Sequence, residues 1–384
     1  MRAGWVSPSL MVGAFDFSGF GYILRVEMAL NISRAIILKK SHHSLVLGGR
    51  LSEERPLEAK VYQTREFAKL LGISKTHLLR LENEGRVPPA RRVQRGKVEH
   101  RFYTVDDIHL YRDRLDLPPL LDRKRVQLFL NFKGGTGKSS ISSSYAYGLA
   151  EMGLQVLAID LDPQQHMTKC LGFDPSLDIM SLFEVLIEGE NINQAIQPTT
   201  MPTLDLLPAT LRLSIIESRL LNKDMREFLL KSAIDDIQKD YDVIIIDALP
   251  TISLLNKNAV IAAGDLLVPV LADYLSYDGL GLLFHELSRM EKNFSIHPEH
   301  ERRGLFENIF IFVNQFKSNE IIARENLASL QRHYTDYLTT TKIPYNTKIS
   351  QATAMGMPVL QYDPSCRGSK CIRQLINEVF GFER

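Results

Sequence analysis

Lys133-Gly134-Gly135-Thr136-Gly137-Lys138-Ser139-Ser140 follows an apolar run, Val126 to Phe132, and precedes a stretch with apolar residues at helical spacing, Ile141, Tyr145, Leu149 and Met152. Strand, glycine-rich turn and helix in that order form a phosphate cradle. Glycine lets the backbone curl until successive N–H groups point inward at an anion, and the helix opening near Lys138 adds the positive end of its dipole. In such a loop Lys138 bridges the terminal phosphates, Ser139 places its hydroxyl on Mg²⁺, and Ser140 assists at the inner phosphates. The general pattern G-x-x-x-x-G-K-[ST] wants glycine at position 132, where this chain has Phe132, and an additional lysine, Lys133, opens the loop. A turn that served chain geometry alone would not call for a lysine at each end and a serine pair.

Two further strands end in carboxylates. Leu157-Ala158-Ile159-Asp160-Leu161-Asp162-Pro163-Gln164 puts two acids at the carboxyl edge of the sheet beside the loop, where they suit Mg²⁺ and water. Tyr241-Asp242-Val243-Ile244-Ile245-Ile246-Asp247 is a buried strand finishing in an acid that can contact Mg²⁺ directly or through water. Alone the latter pattern is common in α/β proteins; behind a phosphate loop it carries weight.

Outward from this centre, short apolar strands (126–132, 155–161, 203–207, 242–247, 266–270, 308–313) alternate with helical stretches. That alternation predicts an α/β fold, a mostly parallel sheet flanked by helices on both faces. Leu117-Pro118-Pro119-Leu120 interrupts helical structure, so this domain is expected over 119–384, with a small unit at 56–118 and a poorly specified extension at 1–55, in which Met28 is an alternative start.

The small unit has its own grammar. Thr64 is expected to cap a first helix through Leu71, Gly72 to break it, and Ser74 to cap a second helix ending at Glu84-Gly85. A hairpin follows around Arg91–Val98, then a helix begun by Val105-Asp106-Asp107. Helix 74–84 would expose Lys75, Thr76, His77 and Arg80 while Ile73, Leu78 and Leu81 face a small core, as a recognition helix in a major groove requires. Arg86, Arg91, Arg92, Arg95, Lys97 and Arg101 stand against Glu99 alone, a basic wing suited to phosphates or the minor groove.

Composition adds exclusions. Lys plus Arg (46) nearly balance Asp plus Glu (45), so DNA binding must come from local patches. The three cysteines, Cys170, Cys366 and Cys371, form no metal-ligand spacing and fit a reduced cytoplasmic setting. No run approaches the roughly 18 apolar residues of a membrane helix, and Asp16, Arg25 and Glu27 interrupt the start, so no membrane or export signal is expected.

The loop at 133–140 resembles the deviant Walker A loop of the ParA/MinD family, in which the extra lysine reaches across a dimer to phosphates held by the partner subunit. Further resemblance covers Leu204–Thr210, Val268-Pro269-Val270 and Ile343–Ala352 and so spans nearly all of 125–384. It implies an Mg²⁺-dependent ATPase with ATP and ADP held by residues 133–140. Lys133 would then be the trans lysine and Lys138 the cis one. Asp160 and Asp162 would hold the magnesium shell and orient the attacking water, and Ser139, Asp160 and Asp247 would face the metal. Residues 61–116 look like the MerR-type winged helix-turn-helix that precedes the ATPase in long, plasmid-borne ParA proteins that repress their own operon. The implied partners are a second copy of the chain in an ATP-dependent homodimer, a ParB-type centromere-binding protein, operator DNA, and nonspecific nucleoid DNA, with Lys348 in the segment resembling the family's DNA-contacting loop. Ala248-Leu249-Pro250 departs from the family's usual Thr-Pro-Pro, which removes a hydroxyl next to the γ-phosphate.

Three rivals share this fold or these parts. A MinD-like membrane-positioning ATPase needs a terminal basic amphipathic helix, and the stripe Ile372, Leu375, Ile376, Val379 is expected to pack on the sheet instead. An iron–sulfur relative needs glycine-flanked bridging cysteines, which this chain lacks. A nucleotide-switched transcriptional repressor without partition activity fits the residues almost as well.

Overall fold

The computed structural model describes residues 60–95, 98–174, 179–294 and 304–382; the extension assigned to 1–55 lies outside the described residues. Among the described residues, eleven strands fall into two sheets. β1 (Val61–Tyr62), β2 (Arg91–Arg95) and β3 (Val98–Thr104) make a small antiparallel sheet with β3 in the middle.

The other eight strands are β4 (Arg125–Phe129), β5 (Val156–Asp160), β6 (Gln197–Pro198), β7 (Leu204–Leu207), β8 (Val243–Asp247), β9 (Asp265–Leu271), β10 (Asn308–Phe316) and β11 (Leu338–Pro344). They stand in the order β11-β10-β9-β4-β8-β5-β7-β6, all parallel except the β6–β7 pair. Every residue of β5 and β8 is buried, as a strand covered on both faces must be, which explains their unbroken apolar runs. The expected mostly parallel sheet is therefore present.

Two differences from the sequence reading have local causes. The strand expected over 126–132 stops at Phe129, because the chain leaves the sheet there to build the glycine loop. β11 was absent from the expected strands because Thr339, Thr340 and Thr341 dilute its hydropathy; the alternation of buried Thr339, Thr341 and Ile343 is nevertheless that of a strand.

The helices that matter below are α1 (Thr64–Leu70), α2 (Lys75–Asn83), α3 (Val105–Arg114), α4 (Lys138–Glu151), α5 (His166–Cys170), α6 (Leu254–Ala262), α7 (Tyr274–Phe294), α8 (Thr347–Ala354) and α9 (Arg367–Phe380). α9 buries Ile372, Leu375, Ile376 and Val379, and Ile376 Cδ1 occupies the space a Cβ on Gly148 of α4 would fill. The terminal stripe is thus internal packing, and among the described residues no helix is long and apolar enough to cross a membrane.

In the small unit, Gly72 turns the chain at φ 70° between α1 and α2. Ser74 caps α2 as expected, its hydroxyl accepting from the backbone N–H of His77 at 3.1 Å. Thr64 does not cap α1: the capping position is Gln63, and Thr64 is the first helical residue. Leu78 and Leu81 are buried, joined by a stacked Phe67–Tyr103 pair with ring centroids 4.1 Å apart. This core is continuous with the buried face of the large sheet, so that Phe67, Tyr103 and Ile108 belong to one apolar cluster with Leu149 and Leu154.

Candidate nucleotide site and basic surfaces

β4 delivers the chain to the loop, and α4 leaves it with Lys138 as its first residue. Gly135 and Gly137 sit at φ 75° and 81°, the left-handed region that glycine enters freely, and Gly137 is the residue that caps α4. Three side chains hold the loop in this shape. Asn131 Oδ1 accepts from Lys133 N at 2.9 Å, Asn314 Nδ2 donates to the Thr136 carbonyl at 2.8 Å, and Gln315 Nε2 donates to the Gly135 carbonyl at 3.3 Å. Sequence reasoning missed all three; the polar pair Asn314-Gln315 closing the apolar strand β10 was the available signal. Asn314 Oδ1 is buried without a hydrogen-bond partner, an acceptor left beside the loop.

A Cβ at Gly137 would collide with Asn314 Nδ2. Gly137→Ala therefore combines a steric conflict with a backbone strain of about 1–2 kcal/mol for a left-handed non-glycine residue. We expect it to weaken ADP binding at least about tenfold while the protein still melts cooperatively, since about 1.4 kcal/mol is a factor of ten. Calorimetric titration with ADP checks this, and an unchanged affinity would refute the role given to the loop's shape.

The charged residues converge on the sheet's carboxyl edge. Lys138 is 7% exposed. Burial lowers its pKa, and the charges of Asp247 and Asp162 work in the opposite direction. Asp160 and Asp247 are register partners on the adjacent parallel strands β5 and β8, both fully buried. Burial first, and then the charge of Asp160, raises the Asp247 carboxyl above the usual range. Asp160 is also raised by burial, against bonds that hold it down. Its Oδ2 accepts from Thr168 N and Thr168 Oγ1, each at 2.8 Å, and its Oδ1 from Asp162 N at 3.0 Å. Asp160 is thus committed to anchoring α5, whereas both oxygens of Asp247 are buried without a well-formed hydrogen bond, with the Ser139 and Ser142 hydroxyls close enough to lower its pKa.

A buried, unpartnered carboxylate below a phosphate loop fits a divalent cation. Among the described residues no group of three or more His, Cys, Asp or Glu side chains could hold a metal unaided. The open Asp247 carboxylate beside the loop suits Mg²⁺, which keeps phosphate oxygens and water in its shell and takes one or two carboxylates from the protein. Asp162 is half-buried, with Oδ1 accepting from Gln164 N at 2.8 Å. Ser139 lies half-buried at the first turn of α4, and Ser140 Oγ is 3.1 Å from Thr353 Oγ1 of α8. Past Asp247, Ala248 is buried and the following turn is clamped by Asn256 of α6, whose amide donates to the carbonyls of Leu249 (2.8 Å) and Thr251 (2.5 Å).

Lys133 is engaged within its own chain. Its Nζ lies 2.7 Å from each carboxylate oxygen of Asp273 and 3.2 Å from Ser276 Oγ. Burial acts to raise the Asp273 carboxyl, but the bonds from Lys133 and Ser276 outweigh it and hold it below its ordinary range. Asp273, at the turn between β9 and α7, went unnoticed in the sequence.

The basic surfaces differ from expectation in one respect. Lys75, Thr76 and Arg80 are exposed on α2 and His77 is half-buried, and Arg80 pairs with Glu84 at 3.5 Å. The wing, however, is not a free array of cations. Arg91 bonds Asp107 (2.6 Å) and Thr104 Oγ1 (2.7 Å), Arg92 bonds Glu99 (2.8 Å), and Arg101 bonds Glu82. Folding brings in acids from α2 and α3 that a linear count of the hairpin could not include. Arg95 is seen only through its backbone pairing with Val98, and Lys97 lies outside the described residues. Lys348 is half-buried on α8, its Nζ 5.6 Å from the centre of the Tyr362 ring.

A sequence profile described as an AAA domain matches residues 124–299. The cell division protein PomZ of Myxococcus xanthus is 40% identical over 323 residues, covering 84% of this chain and 94% of that protein. The sporulation initiation inhibitor protein Soj of Bacillus subtilis is 30% identical over 255 residues, 66% of this chain and 98% of that one. The chain belongs to the ParA/Soj family of P-loop ATPases. Among solved structures, cobyrinic acid a,c-diamide synthase of Mycobacterium smegmatis with bound ATP analogue and magnesium is 26% identical, with a TM-score of 0.56, covering 67% of this chain and 94% of that chain. The match of this ParA/Soj-type chain to PomZ is longer than the segment 119–384, so it reaches into the helical unit in front of the sheet.

Proposed function

We propose that this ParA/Soj-type ATPase binds Mg²⁺·ATP at residues 133–140, dimerises around it, and uses hydrolysis to release a DNA-bound state. The observation that carries the reading is the division of labour between two lysines. Lys138 is buried inside its own site facing Asp247 and Asp162, while Lys133 stands at the rim, held by a single exchangeable ion pair. In the dimer Lys133 leaves Asp273 for phosphates held by the partner. Lys138 and the loop amides neutralise the β- and γ-phosphates, Ser139 and Asp247 face the metal, Asp160 fixes the loop that carries Asp162, and Asp162 orients water. The bound Mg²⁺ supplies neutralisation of charge on the transferred phosphoryl group.

Residues 56–118 act in this reading as a winged helix-turn-helix. Lys75, His77 and Arg80 read base edges of an operator in the ADP state, and the ATP state favours nonspecific DNA through the ATPase domain, Lys348 included. With Arg91, Arg92 and Arg101 tied to acids, the wing positions itself and leaves phosphate contact to α2, with Arg95 and Lys97 as the remaining basic candidates of the hairpin sequence. A ParB-type DNA-bound partner stimulates turnover and so moves or anchors a replicon.

Arg80→Ala should cost about 1–3 kcal/mol for operator DNA and leave ATP-dependent nonspecific binding intact, with Lys348→Ala doing the reverse. Filter-binding titrations check both. Equal weakening of both modes by both variants would overturn the two-mode reading.

A second reading is favoured by the similarity to a cell division protein over 84% of the chain. In it the same ATPase cycle positions the division apparatus instead of a replicon. Deleting the gene separates the two: plasmid or chromosome loss follows in the first case, misplaced septa with normal DNA inheritance in the second.

A further inference from the structure

The 14-residue helix α4 runs from the glycine loop at one end to a cluster of side-chain contacts at the other. Its N-terminus opens on the glycine loop. At its C-terminus, Tyr62 Oη donates to the Glu151 carbonyl at 2.5 Å, one of the acceptors a helix end leaves unsatisfied. The Glu151 side chain, 7% exposed, takes Lys60 Nζ at 3.4 Å and Arg373 Nη2 at 2.9 Å. Two cations and a hydroxyl thus face the negative end of the helix dipole. Just beyond, Gly153 turns at φ 88°, and a Cβ there would lie 2.8 Å from Ile108 Cγ2 of α3. Gln155 Nε2 lies 3.3 Å from His109 Nε2 of the same helix. Lys60, Tyr62, Ile108 and His109 all belong to the helix-turn-helix unit.

We infer that the C-terminal end of the phosphate-loop helix, at Glu151 and Gly153, is the coupling point through which nucleotide occupancy is transmitted to the helix-turn-helix unit. The inference rests on the nucleotide site proposed above. A helix of this length is a stiff rod of about 20 Å, and its core-packed sides prevent local bending. When the loop closes on phosphate, movement at Lys138 reappears at Glu151, where the contacts to Lys60, Tyr62, Ile108 and His109 pass it to α3. Gly153 permits the close approach of Ile108 that excludes slack at the joint. The coupling is reciprocal: whatever DNA does to the orientation of the unit changes nucleotide affinity by the same factor.

The test is amide hydrogen exchange on the full chain, with and without Mg²⁺·ADP and with a slowly hydrolysed ATP analogue. Amides of β1 and α3 touch no nucleotide, yet their exchange should change on the order of fivefold when it binds, the lower range of site-to-site coupling. In Lys60→Met/Tyr62→Phe, which severs the two polar ties at Glu151 and keeps the aromatic packing and the Ile108 and His109 contacts, that response should fall at least about twofold while ADP affinity stays within about a factor of two of the parent. If the double variant does not fold, Tyr62→Phe alone must reduce the response. Tight nucleotide binding with no change in β1 and α3, or an equal change in parent and variant, overturns the coupling. Absence of nucleotide binding in calorimetry overturns instead the assignment of residues 133–140, and the inference with it.

Discussion

Replacing Lys138 by glutamine will abolish ATP and ADP binding while the protein remains folded. The ammonium is almost wholly withdrawn from water, with Asp247 and Asp162 as the charges acting on it. A buried cation costs desolvation unless anions meet it, and burial already lowers its pKa. Phosphate is the partner that restores the balance. Each charge-assisted hydrogen bond to a phosphate oxygen is worth about 1.5–3 kcal/mol, so losing two of them weakens binding by about two to four powers of ten. The amide of glutamine keeps the length and a donor but not the charge, which separates electrostatics from shape. Calorimetry with ADP, and with Mg²⁺ and an ATP analogue, checks the result. An unchanged dissociation constant in a variant with the parent's melting curve would remove Lys138 from the site.

The parts of this architecture that were legible in the chain are those that depend on neighbours in sequence. Glycines 134, 135 and 137 between a strand and a helix, the buried strands ending at Asp160 and Asp247, and the Ser74 cap all report on local backbone or on a face covered on both sides. The parts that escaped depend on contacts between distant segments. Asn314 and Gln315 reach the loop from some 180 residues away, and Asp273 reaches Lys133 from 140. No periodicity encodes such encounters. The wing shows the same limit from the electrostatic side: Glu82 and Asp107 lie outside the hairpin whose charge was counted, and only the fold brings them to Arg101 and Arg91. The docking of the helical unit on α4 was likewise invisible, because no pattern within 56–118 marks Tyr62 and Ile108 as side chains that reach a helix of the other unit.

Lys133→Ala will keep nucleotide binding and lose ATP-driven dimerisation. In the single chain the Lys133 ammonium bonds Asp273 and Ser276 and makes no contribution that Lys138 and the loop amides cannot supply to a nucleotide in cis. Across a two-fold dimer two such lysines act at once, each worth about 1.5–3 kcal/mol to a partner's phosphate, so their removal weakens the ATP-bound dimer at least about a hundredfold. The ion pair they must first leave is weaker. Lys133 and Asp273 are partly exposed, with side chains 21% and 42% accessible, and pairs of that kind contribute about 0.2–1 kcal/mol. Two such pairs open in each dimer, so Asp273→Asn should act in the opposite direction, tightening the ATP-bound dimer by up to about thirtyfold. Light scattering with a slowly hydrolysed analogue measures both. Parent-like dimers from Lys133→Ala would mean that the lysine works only within its own chain. Looser dimers from Asp273→Asn would mean that the carboxylate stays with Lys133 in the dimer and helps to aim it at the partner's phosphates.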